Sequence, residues 1–153
     1  MRDPTRFGGW LRGIVTHTAH RALRELARVR SLAEEITFQC RYQLIHKHVD
    51  WPRRVRIMHY MAKAAVLAMN ARHLLRHGHY PETRAELLPL VDEPADRQII
   101  DWVERWQEVR PTFEADPVAL ILQLDAFARR LVESLREQQA TSTKQQEGGR
   151  PCS

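Results

Sequence analysis

Arg72-His73-x-x-x-His77 is the one place where residues able to do proton and phosphate chemistry fall at regular spacing. Histidine exchanges a proton near neutral pH, and arginine grips a phosphate through its planar fork. Together they could hold a phosphate and move a proton beside it. His73 and His77 also stand at i and i+4, the helical spacing at which two imidazoles meet one zinc ion. A catalytic zinc commonly takes a carboxylate as well, and no acid lies between Asp50 and Glu82. His79 follows closely and His17 and His20 lie upstream, but imidazoles near a helix C-terminus are favoured by its dipole without any metal. No metal and no cofactor is expected.

The element that must position this pair runs from Pro52 to His77 and is closed by Gly78. Its centre, Ala64-Ala65-Val66-Leu67-Ala68-Met69, is apolar on every side, and its ends carry only positive charge. A helix apolar all round must be covered all round, so this segment is expected to be the buried axis of a bundle. Asp50 is placed to cap it, Pro52 is tolerated in its first turn, and Gly78 can take the left-handed conformation that ends helices.

The other elements follow from apolar periodicity. A first helix is expected from Trp10, after Phe7-Gly8-Gly9, with Leu11, Ile14, Val15, Ala19, Ala22, Leu23 and Leu26 on one face. Ser31-Leu32-Ala33-Glu34 matches a capping box, so a second helix starts there or one long helix runs from 10 to 48. Phe38, Tyr42, Ile45 and Val49 form a stripe that predicts a core-facing side. Thr83 to Glu86 is a second capping-box match and opens a short helix, Arg84 to about Leu88, broken by Pro89. A helix after Pro94 turns Ile99, Val103, Trp106 and Trp102 inward. Asp116-Pro117 opens a last helix with Val118, Ile121, Leu122, Leu124, Phe127, Leu131 and Leu135 as its apolar face. The expected fold is all-α: a single bundle of four or five main helices over 10–138, between a flexible stretch at 1–9 and a disordered Thr/Ser/Gln/Gly-rich tail at 139–153.

Charge is divided along the chain. Residues 51–80 hold six cations and no acid, whereas 81–116 hold ten acids against four arginines. The acidic segment can fold back on the basic helices, or the basic half can face phosphates or another anionic partner. Arg21, Arg24 and Arg28 share one helix face, which suits either a phosphate-facing stripe or a solvated surface. Trp51, Trp102 and Trp106 at helical spacing read as core. Cys40, inside a helical run, reads as a small buried hydrophobe, and pairing with Cys152 in the tail is not expected. No apolar run approaches the roughly 20 residues that span a bilayer, and the N-terminus lacks a signal-peptide core, so no membrane and a cytoplasmic location are expected. Glycine-rich phosphate loops and the G-x-S-x-G nucleophile motif are missing.

Arg72 and His77, with a polar second residue, match the R-x4-H pattern of the HEPN superfamily, α-helical proteins that include RNA-cleaving toxins. The resemblance implies a metal-independent ribonuclease using these two residues, commonly at the cleft of a homodimer. Residues of roughly 35–135 also resemble, in arrangement, the helical substrate-binding domain that accompanies nucleotidyltransferases. The shared order is a basic helix, an Ala-rich helix ending Ala68-Met69-Asn70-Ala71-Arg72, a Tyr80-Pro81 turn, Leu87-Leu88, then a Trp-containing acidic helix. The catalytic loop and paired aspartates of those transferases are missing. This second resemblance therefore implies a non-catalytic accessory domain with a protein partner, its Arg53, Arg56, Arg72 and Arg76 lining a groove for nucleotide or nucleic-acid phosphate. A nucleic-acid-binding regulator is the third reading.

Overall fold

The computed structural model describes residues 4–46 and 50–147, with side chains over 20–46 and 50–141. It is all-α: α1 (Pro4–Ile45), α2 (Trp51–His77), α3 (Arg84–Leu87), α4 (Pro94–Glu104), α5 (Trp106–Ala115) and α6 (Val118–Glu147). A 3-10 turn, Leu88–Leu90, follows α3 and takes Pro89 into its first turn. Helices α1, α2 and α6 pack together, and α4 and α5 close over α2 and α6. Among the described residues no helix is long and apolar enough to cross a membrane.

Helix α2 is the axis. It packs against α1, α4, α5 and α6, and buries Val55, Met58, Ala62, Ala65, Val66, Ala68, Met69 and Ala71. Four of these side chains are methyl groups, which lets neighbouring backbones approach closely. Leu67 remains 40% exposed, so cover is not complete on every side. Gly78 closes the helix at φ 71°, and its N–H donates to the Leu74 carbonyl at 2.8 Å. At the other end the Asp50 side chain makes no capping bond; only its carbonyl takes part, accepting from Arg54 N–H at 3.1 Å.

Helix α1 is a single element that starts at Pro4, ahead of Trp10, with proline suited to a first turn. The Ser31 capping box starts nothing, because the buried stripe Val29, Ala33, Ile36 and Cys40 runs straight through it. That stripe also displaces the expected one. Phe38 is 60% exposed, Ile45 73% and Tyr42 39%, so these residues face outward, as Leu23 does. The physical reason is size: Ala33 and Cys40 let α1 sit close on the methyl-lined α2, and bulky Phe38 and Tyr42 do not. The side chains of Leu11, Ile14, Val15, His17 and Ala19 lie outside the described residues, and 1–3, 47–49 and 148–153, with Val49 and Cys152, lie outside them altogether.

Thr83 caps α3, its hydroxyl accepting from Glu86 N–H at 3.2 Å, while the Glu86 carboxylate reaches back to Glu82 N–H at 3.0 Å. The acidic region is two helices where one was expected. Arg105 leaves helical geometry, and its carbonyl accepts from Glu108 and Val109 to start α5. The break swings Trp106 and Phe113 into the core beside Ile99, Ile100 and Val103. Pro111 inside α5 has no N–H for the Gln107 carbonyl. Asp116 caps α6 through Val118 N–H at 3.0 Å. Helix α6 buries Leu120, Ile121, Leu124, Phe127, Ala128, Leu131 and Leu135, leaves Val118 and Leu122 exposed, and continues past Gln139 to Glu147.

Candidate functional site

The residues singled out by spacing fall into three places. Arg72 is half-buried and shares its side of α2 with Arg76, one turn further on. It sits in the field of Asp96 and Asp92 and of Arg130 from α6. Burial, then Arg76, push the guanidinium below its usual value; Asp96 and Asp92 pull it up again, and Arg130 opposes them. Asp96, 2% exposed, accepts from Arg130 Nη2 across the α4–α6 contact. Its carboxyl is nevertheless raised, because burial outweighs the hydrogen bond and charge of Arg130. Arg76 donates to Ser134 Oγ at 2.6 Å.

His77 keeps different company. Its ring lies 4.5 Å from that of His73, and His79 meets His73 edge-on at 6.3 Å. Burial and the imidazoles of His77 and His79 hold His73 below the usual histidine value. Among the described residues no hydrogen bond, ring contact or charge interaction joins Arg72 to His77. Positions five apart on a helix diverge by about 140°, which separates the two. No group of three or more His, Cys, Asp or Glu among the described residues stands where it could hold a metal ion.

Arg53 and Arg56 are exposed in the first turns of α2. Arg56 lies about 24 Å along the axis from Arg72, at roughly 1.5 Å per residue. The four arginines therefore form two groups at opposite ends of one helix, not one groove. Arg54 between them is 3% exposed, with its Cζ 4.7 Å above the Trp51 ring and no partner for Nε or Nη2.

A different groove unites aromatic and basic side chains. About 950 Å³ in volume, it runs between α1 and α6, and its rims carry Arg30, Arg41, Arg129 and Arg136. Phe38, Tyr42 and His46 form a row of rings along α1, with centroid steps of 6.1 and 3.9 Å and planes inclined by 29° and 16°. Glu34 and Glu133 are the acids in its lining. Arg129 pairs with Asp125 at 2.7 Å and Arg30 donates to Gln139 at 3.3 Å. Arg41 and Arg136 have no acidic partner among the described residues.

The fold does not spend its acids on these cations. Among the described residues, Arg130–Asp96 is the only ion pair between different major helices. The other pairs, such as Arg110–Glu114 and Arg28–Glu25, join neighbouring turns. Packing of the acidic segment against the basic α2 thus supplies no ion pair among the described residues: its one bridge goes to α6, and Asp96 and Asp92 reach Arg72 only through their field. Spacing missed Arg41, Tyr42 and Arg136 as a group. Tyr42 was read as core, and the α1–α6 pairing that unites the three has no local signal. No protein-family model, no curated protein and no solved structure matches the chain.

Proposed function

We propose that this chain is a non-catalytic helical binding domain for single-stranded nucleic acid, held in the groove between α1 and α6. One observation carries the reading: the outward row of Phe38, Tyr42 and His46 with arginines on both rims. Sequence-tolerant single-strand binding uses this combination, bases stacking on rings while cations track the backbone. Large rings in water are costly to leave open, and their alignment with unpaired Arg41 and Arg136 favours a ligand with both π-faces and phosphates. As an accessory domain it would present such a strand to a catalytic protein, as the resemblance in element order to nucleotidyltransferase-associated helical domains implies. The separate surroundings of Arg72 and His77 speak against a ribonuclease built on that pair.

The test is anisotropy with labelled single-stranded RNA and DNA oligonucleotides over a series of salt concentrations. Affinity is expected to fall linearly on a log–log plot, and the slope to drop by about one for Arg41→Gln or Arg136→Gln. Tyr42→Ala is expected to cost about 1 to 3 kcal/mol of binding. The RNA should be recovered intact. Failure of every oligonucleotide to bind at low salt would overturn the proposal, and cleavage abolished by His77→Ala would restore the ribonuclease.

A further inference from the structure

A second cavity, of about 240 Å³, lies between α2 and α5 and shares no lining residue with the α1–α6 groove. Its floor is aromatic: the His59 ring is parallel to the Trp106 indole, with centroids 3.9 Å apart. Pro52, Val55 and Arg56 line it from α2, and Gln107 and Arg110 from α5. Its volume is below the roughly 300 Å³ at which pockets for drug-sized ligands begin, so it suits one compact group.

Cations outnumber acids around this floor. Arg56 has no acidic partner among the described residues. Lys63 from α2 and Arg84 from the start of α3 act on the His59 ring. Glu114, held by Arg110 at 2.6 Å, is the carboxylate closest to the cations of the lining. The first turn of α2, which supplies Pro52 and Val55, adds the positive end of a helix dipole. Within this setting His59 Nε2 is buried and has no hydrogen-bond partner. An unmet buried donor or acceptor is costly, and natural structures rarely leave one without a role.

We propose that the α2–α5 cavity binds a phosphate group, seated between the guanidinium forks of Arg56 and Arg110 and hydrogen-bonded by His59 Nε2. Two forks and an imidazole from two helices offer more donors than a planar carboxylate can meet, and they match a tetrahedral oxyanion. In the structure burial, then Lys63, then Arg84 lower His59 to about 4. A bound phosphate opposes the two cationic contributions, so His59 titrates at higher pH in the complex. The site is independent of the α1–α6 groove, and neither depends on the other being occupied.

The experiment is an NMR titration of His59 in the full chain at constant ionic strength, its ring signal assigned with His59→Gln. Sodium chloride, inorganic phosphate and a nucleoside 5′-monophosphate are compared. The expected result is a rise of His59 by about one unit in phosphate over chloride. Affinity should fall about tenfold in Arg56→Gln and in Arg110→Gln, the loss of one charged hydrogen-bonding partner. Equal affinity for phosphate and the monophosphate identifies the phosphate group alone as the ligand, and tighter binding of the monophosphate identifies an esterified phosphate. If phosphate leaves His59 where chloride does, or moves it at the same concentrations in the arginine variants as in the unmutated chain, the proposal is overturned. Arg56 is exposed and outside the core, so its variant folds and the result is read on native protein.

Discussion

The two ends of α2 carry the same residue type in opposite electrical settings. At the C-terminal end Arg72 and Arg76 lie where the helix dipole is negative; Asp96 and Asp92 compensate Arg72, and Arg76 is held by a hydrogen bond to the neutral Ser134 hydroxyl. At the N-terminal end Arg53, Arg54 and Arg56 lie where the dipole is positive and the Asp50 side chain makes no capping bond. No acid pairs with any of the three among the described residues. Arginines with compensation inside the fold hold it together. Arginines that oppose the local field without compensation are available to something outside it.

Three substitutions put this contrast at risk. The largest effect is expected for Asp96→Ala, which leaves Arg130 and half-buried Arg72 without their shared counter-charge. Urea denaturation should show a loss of about 2 kcal/mol or more. A change within a few tenths would mean that the C-terminal cluster is no more structural than the N-terminal one.

Next is the pH dependence set by His59. The unfolded chain protonates this histidine near the ordinary 6.5, whereas the folded chain resists until about 4. The unfolded state therefore binds more protons between those limits. Stability is full above 6.5 and falls as the pH drops toward 4. After allowance for solvent screening the loss is about 1 kcal/mol, and His59→Gln should remove it from the difference between denaturation at neutral pH and near pH 5. An unchanged slope in that variant would show that neither burial nor the cations facing His59 disfavour its protonation in the fold.

The smallest effect is expected for Arg54→Met. This exchange deletes a buried guanidinium with unmet Nε and Nη2 and keeps the volume, so stability should shift by less than about 0.5 kcal/mol or rise. A loss as large as that of Asp96→Ala would erase the distinction between the two ends.

What was legible in the residues was local. The Pro52–His77 run, its stop at Gly78, the Thr83 cap and the Asp116 start each depend on a few neighbours, and each is found. Cys40 too is buried, and burial followed by Asp125 pushes its thiol up to about 12. The stripe of Phe38, Tyr42 and Ile45 shows where local reading stops. Two apolar stripes share α1, and the one with small residues is buried where α1 packs on α2 and α6. That choice belongs to the packed helices together and not to any one alone. Arg72 and His77 show the converse: a motif legible as spacing, whose members the helix turns apart. Arg54 did carry a usable signal, since it shares the buried periodicity of Met58 and Ala65. The stacking of His59 on Trp106 carried none, because it depends on the break at Arg105.

Pro111 gives the wall of the smaller cavity a distinct dynamic character. A ten-residue helix missing one rung of its ladder has little internal cooperativity, so α5 is expected to open before α2 or α6. The Trp106 face of the cavity is thus the pliant one and the His59 face the fixed one. Exchange of α5 amide protons with solvent becomes a gauge of occupancy: any ligand bridging Arg56 to Arg110 fastens the helix that unfastens most readily, and slows that exchange.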